Sequence, residues 1–123
     1  MNTTILRLDP AFSVCKLRDF SAVDLSRPFH FAANTDEECS LVCPTSDVSD
    51  DVIAREDGWR AFRIEGVLDF SLIGILARIS SLLANHGIGI FTVSTYNTDY
   101  ILTKAENFEP ALQALANDGY RVE

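Results

Sequence analysis

Two short stretches carry side chains able to hold a small polar molecule. Asp69, Ser71 and Gly74 open an apolar-periodic run, and Thr95, Asn97 and Asp99 stand in a turn after the next apolar run. Where a helix begins, its first N–H groups are free and its dipole end is positive, which favours a carboxylate. Gly74 in that first turn lets a ligand or a neighbouring backbone come close. Asp99 can accept an ammonium group, and Thr95 and Asn97 can add neutral hydrogen bonds. A charge-assisted bond of this kind contributes roughly 1.5–3 kcal/mol net. The plainer alternatives stay open. Ser71 or Asp69 can simply cap the helix, and Asn97 and Asp99 can bond their own backbone in a hairpin turn.

The remaining reactive side chains make a weaker pattern. Cys39 and Cys43 are four residues apart in an expected strand and so share a face, with Cys15 and His30 as the only further soft ligands nearby in sequence. That spacing is no established zinc pattern, and buried structural cysteines are common, so no metal is expected. His86 precedes Gly87 at an expected helix end, where an imidazole acts as a cap. No spacing suggests a catalytic Ser-His-Asp or Cys-His set, and no glycine-rich phosphate loop occurs. Neither a catalytic residue nor a cofactor is expected.

The elements that must place these residues follow from periodicity. Leu72, Ile75, Leu76, Ile79, Leu82 and Leu83 draw one apolar stripe at helical spacing, and Gly87 is the expected stop. Ile88 to Tyr96 is rich in β-branched and aromatic residues and reads as a strand. Asn97-Thr98 supplies its turn, and Asp99–Lys104 is the hairpin partner. A second helix is expected over Glu109–Asp118, with Pro110 in its first turn, Gly119 as its stop and Tyr120–Val122 as a last short strand. Trp59–Glu65 alternates as a strand ended by Gly66. Upstream, the turn-forming pair Asp9-Pro10 precedes an expected strand over Phe12–Leu17. Asp19–Pro28 has room for a turn or two of helix, Phe29–Asn34 and Cys39–Cys43 read as strands, and Pro44 closes the latter. Residues 45–58 are acidic and read as a solvated connector. The second half thus runs β-α-β-β-α-β, a ferredoxin-like plait in the α+β class, and the first half repeats that order in reduced form. The boundary is placed between residues 58 and 59.

Composition bounds the rest. The 123 residues are 47% hydrophobic and 23% charged, as in folded globular proteins. A chain of this size buries enough surface for an ordinary core without staples. Ten Lys and Arg against eighteen Asp and Glu give a net charge of −8, which disfavours nucleic acid and anionic membranes as partners. No run approaches the ~20 apolar residues of a membrane span. The start shows neither a basic leader nor a long apolar run, so no secretion signal is expected. Three cysteines without framework spacing suit reduced thiols and a cytoplasmic location.

Several stretches together resemble the small bacterial ACT-domain proteins related to the CASTOR-type arginine sensors. They are Gly58–Ala61, Glu65–Leu76, Ile90–Tyr100 and Leu41–Pro44, with Ser94-Thr95-Tyr96-Asn97-Thr98-Asp99 the most specific. The resemblance implies two ACT-like units in tandem: residues 1–58, a degenerate N-terminal unit, and residues 59–123, a C-terminal ACT domain. It implies an antiparallel sheet with helices on one face, and allosteric regulation by an amino acid or similar small effector bound where units meet. The ligand loop it implies is Asp69, Phe70, Ser71, Leu72 and Gly74, with Thr95, Tyr96, Asn97, Thr98 and Asp99 facing it. Sensors of that type carry more ACT units per chain than fit here, so a complete site implies a homodimer. The expected function is a non-catalytic amino-acid or metabolite sensor. The alternative is a protein-interaction or dimerisation module with a vestigial cleft, and an enzyme using Asp69 or Asp99 as a base ranks last.

Overall fold

The structure, a computed structural model, describes residues 3–65 and 74–123. In chain order it has β1 (Thr4–Leu17), β2 (Phe31–Asn34), β3 (Cys39–Pro44), a 3-10 turn (Thr45–Asp47) and β4 (Ala54–Ile64). Then come α1 (Ile75–Asn85), β5 (Phe91–Ser94), β6 (Asp99–Lys104), α2 (Ala105–Asn117) and β7 (Arg121–Val122). Two compact units are distinguished: Met1–Asp9 with Arg60–Glu123, and Pro10–Trp59. The long strands β1 and β4 contribute one end to each.

In the larger unit the strands neighbour one another in the order β7, β1, β4, β6, β5. The β5–β6 hairpin is antiparallel, with Phe91 opposite Leu102 and Ser94 opposite Asp99. β7 runs parallel to β1, with Thr4 opposite Arg121. Phe62 and Ile64 of β4, Ile101 of β6, Ile79 and Leu83 of α1 and Phe108, Leu112 and Leu115 of α2 form one buried core. Each such side chain contributes roughly 1.5–3 kcal/mol by leaving water. The Arg60 guanidinium lies 4.6 Å from the centre of the Phe108 ring and donates to the Leu8 carbonyl at 3.1 Å. One flank of the aromatic core is thereby a cation stacked on a ring face.

The smaller unit is built on β1 and β3, paired antiparallel from Phe12 opposite Pro44 to Leu17 opposite Cys39. β2 pairs with β3 from Phe31 opposite Val42 to Asn34 opposite Cys39. Its core is Cys15, Leu17, Leu41 and Cys43, covered by Phe20, Val23, Val48 and Val52 from the flanking loops. The two hairpins are alike. Thr35 and Thr95 each open a four-residue loop, and each donates its backbone N–H to the carbonyl of the residue three on, at 2.9 Å to Glu38 and 2.8 Å to Thr98.

The α+β architecture with an antiparallel sheet and two helices agrees with the sequence reading, but several elements differ. β1 is continuous from Thr4, with no turn at Asp9-Pro10. Its pairing with β7 ends at Ile5 and its pairing with β3 begins at Phe12, so Asp9-Pro10 lies on the run between those two partners. Residues 19–28 form turns without helix, because the Asp19 and Asp24 carboxylates each accept the N–H of the serine two residues on, at 3.0 Å, a local bonding that competes with helix. β4 begins at Ala54, five residues early, its first residues exposed. The strand expected over Ile88–Tyr96 is only Phe91–Ser94. Ile88 is spent on ending α1, donating its N–H to the Leu83 carbonyl at 2.9 Å while its side chain is buried. α2 starts at Ala105, so Pro110 lies inside the helix. Both Pro110 and Glu106, whose carbonyl loses its partner, are exposed, so water can satisfy it. His86 does cap α1, its Nδ1 2.9 Å from the Leu82 carbonyl.

Candidate ligand-binding site

The described part of the expected site is a turn held by threonines. Thr95 donates both its backbone N–H, at 2.8 Å, and its hydroxyl, at 3.0 Å, to the Thr98 carbonyl. The Thr98 N–H returns a long bond of 3.4 Å to the Thr95 hydroxyl. Thr98 is only 6% exposed, and its hydroxyl donates to the Ile64 carbonyl on β4 at 2.7 Å. That bond pins the loop to the end of the strand that leads towards residues 66–73. Asp99, opposite Ser94 in the hairpin, accepts the Ser94 hydroxyl at 2.5 Å. Tyr96 is 85% exposed and Asn97 is exposed as well.

The turn therefore uses Thr95 and Thr98 for its own bonds, leaving the Tyr96-Asn97 tip exposed and Asp99 half-buried. A carboxylate keeps further lone pairs after accepting one hydroxyl. Arg63 on β4 donates to the Tyr100 hydroxyl at 3.3 Å. That bond, with help from Glu65, holds its guanidinium more firmly protonated than usual.

Gly74 is the residue before α1 and takes the left-handed conformation, φ 90°. A side chain there would meet no atom within 4 Å, so the requirement for glycine is conformational and not spatial. Its carbonyl accepts the Arg78 N–H at 2.8 Å, closing the first helical turn without a side-chain cap of its own. Asp69, Phe70, Ser71 and Leu72 lie outside the described residues. The structure thus brings Thr95, Thr98 and Asp99 together in one hairpin and places Gly74 at the start of α1. Of the cysteines, Cys15 and Cys43 are buried, and burial together with the neighbouring Cys15 thiol pushes Cys43 up to about 12. Among the described residues no group of three or more His, Cys, Asp or Glu is placed to hold a metal ion, and no helix is long and apolar enough to cross a membrane.

The model of the ACT domain matches residues 54–117, from the start of β4 to the end of α2. The chain belongs to the ACT-domain family. Among solved structures, an Agrobacterium tumefaciens protein is 29% identical, with a TM-score of 0.82 over 100% of this chain and 93% of that one. A Vibrio cholerae protein of unknown function, described as a possible transport protein, is 19% identical, with a TM-score of 0.75 over 94% of this chain and 89% of that one. The regulatory subunit of aspartate kinase from Thermus thermophilus, in its ligand-free form, is 12% identical, with a TM-score of 0.61 over 95% and 96%. At such identities the last two establish a shared fold. No functionally curated protein matches in sequence.

Proposed function

We propose that this ACT-domain protein is a non-catalytic regulatory module that binds an amino acid or a related metabolite. One observation carries the reading: the ACT-domain match spans both Asp69–Gly74 and Thr95–Asp99, the stretches whose chemistry suits a zwitterion. Asp69, Phe70, Ser71, Leu72 and Gly74 make the loop that receives the carboxylate near the first turn of α1. Thr95, Tyr96, Asn97, Thr98 and Asp99 make the facing turn, with Asp99 accepting the ammonium. The fold shared with an aspartate kinase regulatory subunit supports regulation as the role. Kinship with the CASTOR-type sensors, the tandem reading of residues 1–58 and 59–123, ligand seated where such units meet, and homodimer formation in the cytoplasm belong to the same proposal. The matching loops at Thr35 and Thr95 support the tandem reading.

A ligand that binds only the folded state stabilises it by about 2.7 kcal/mol at a hundredfold excess over its dissociation constant. A thermal-shift screen of the amino acids and close metabolites is the test, with Asp69→Ala and Asp99→Ala as controls. The proposal expects at least one compound to raise the melting temperature of the wild type and to do so less in both variants. No stabilising compound, or equal stabilisation of all three proteins, removes its support.

A further inference from the structure

The smaller unit contains a pocket of about 100 Å³ far in sequence from the residues discussed above. Cys15, Leu41 and Val48 contribute apolar lining, and Arg27, His30 and Asp47 contribute polar atoms. The His30 side chain is only 3% exposed. Its Nδ1 is 3.0 Å from the Pro28 carbonyl, and a carbonyl can only accept, so Nδ1 carries the proton and Nε2 of the neutral ring is a bare acceptor. Nε2 faces Oδ2 of Asp47 at 3.9 Å, and that carboxylate is itself only 17% exposed. At 3.9 Å the two groups are beyond hydrogen-bond reach even for a doubly protonated ring. Arg27 pairs with the other oxygen, Oδ1, at 3.3 Å but is 59% exposed, so water screens much of that attraction. Two mostly buried acceptors therefore stand side by side on a cavity wall with no donor between them among the described residues. Neither atom is among the sealed, unpartnered polar atoms of the described residues, so water in the pocket can reach both, and one group that donates to both can take its place. The backbone that delivers His30 is itself constrained. Phe29 takes φ 63°, unusual for a bulky residue, with its ring edge-on to Phe12 at 6.2 Å.

We propose that this pocket binds a small aliphatic primary ammonium compound whose N–H groups bridge Asp47 Oδ2 and His30 Nε2. Its hydrocarbon body lies on Leu41 and Val48. Charge selects a cation: Asp24 and Asp47 both line the pocket against Arg27 alone, so an anion would meet two carboxylates and an already paired guanidinium. Volume sets the size. A cavity of about 150 Å³ takes a six-carbon ring, so about 100 Å³ suits on the order of four heavy atoms beyond any part left in solvent. The site shares no residue with Asp69–Gly74 or Thr95–Asp99, and its failure would leave the proposed amino-acid site untouched.

The test is calorimetric titration of the full chain with n-propylammonium chloride, against sodium propionate and n-propanol at matched ionic strength. The expected result is saturable one-to-one binding of propylammonium with a roughly millimolar dissociation constant, as suits so small a ligand. Propionate should give no binding isotherm, and amide shifts in an NMR titration should centre on Leu41, Val48 and Val52. Asp47→Asn should weaken binding at least about tenfold, since a charge-assisted bond is lost. Val52→Trp, which fills the pocket from its lining without touching a charge, should abolish binding and guards against misfolding of the Asp47 variant. Absence of saturation at tens of millimolar on the order set by that affinity, equal binding of propionate, or binding that survives both variants would each overturn the proposal. The first result would mean that water alone occupies the pocket, and the last two that the ammonium group and these residues do not make the site.

Discussion

Replacing Thr98 by Val isolates the bond that anchors the candidate turn. Valine keeps the β-branched shape and the strand-compatible rotamer, so packing and backbone preference change little. What goes is the hydroxyl that donates to the Ile64 carbonyl at 2.7 Å, from a side chain only 6% exposed. Ile64 is fully buried, so water is poorly placed to replace the donor. Losing the bond and leaving its acceptor short costs roughly 1–3 kcal/mol. The methyl that replaces the hydroxyl gives back up to about 0.8 kcal/mol. The net expectation is a loss of about 1–2 kcal/mol, or roughly 3–8 °C in melting temperature for a chain of this size. Urea unfolding followed by circular dichroism reads it as a lower midpoint at unchanged slope. Ser94→Ala removes the exposed hydroxyl bonded to Asp99 and should stay within about 0.5 kcal/mol of wild type. If Thr98→Val shifts the midpoint no more than Ser94→Ala does, the hydroxyl is not what anchors the turn.

Other consequences follow from the same contacts. Phe108→Ala empties a core position that is 1% exposed and removes the ring beneath Arg60. It should cost about 3–5 kcal/mol by denaturant titration, against about 1 kcal/mol for Phe108→Leu. The Ser13 hydroxyl, donating at 2.5 Å, and then Arg55 at 3.1 Å hold the Asp57 carboxyl below its ordinary 3.8. A depressed folded-state value stabilises fully above the unfolded value and is lost as pH falls through the folded one. Stability should therefore drop below pH 3.8, and Ser13→Ala should flatten that acid limb in melting curves taken against pH. Burial pushes the Cys15 thiol up, and burial with the Cys15 neighbour pushes Cys43 up to about 12. Iodoacetamide at pH 8 on the order of the free-thiol value should therefore label Cys39 alone in the native protein and all three in urea, by mass spectrometry.

The two helices were legible because their apolar stripes are long and their glycine stops distinct. The β5–β6 hairpin was legible because its turn residues interrupt a β-branched run. What escaped the sequence reading did so for identifiable reasons. The likeness of the hairpins is carried by residues sixty apart, Phe31 with Phe91 and Thr35 with Thr95, while the residues between them differ in polarity. Phe20 and Val23 have the spacing of one helical turn and both pack on the small core, but Asp19 and Asp24 bond the backbone two residues on and hold the segment in turns, which apolar periodicity does not encode. The Arg27, His30 and Asp47 grouping joins a loop to a 3-10 turn across β2 and β3, so no short motif announces it. Pro10 marked a turn by its type, but the strand runs straight through it from Thr4 to Leu17. At the candidate site, residue types suggested both a hairpin turn and a ligand contact. The bonds at Thr95 and Thr98 establish the turn, and Asp99 retains the capacity for the contact.

The proposed site requires that Asp69–Gly74 and Thr95–Asp99 receive one ligand together. The most direct measurement is an NMR titration of the ¹⁵N-labelled chain with the amino acid that most raises its melting temperature. Saturating shifts at the amides of Asp69–Gly74 and Thr95–Asp99, at one common dissociation constant and lost in Asp99→Ala, are the predicted result. Shifts that leave both stretches still, or that move them at different ligand concentrations, would contradict it.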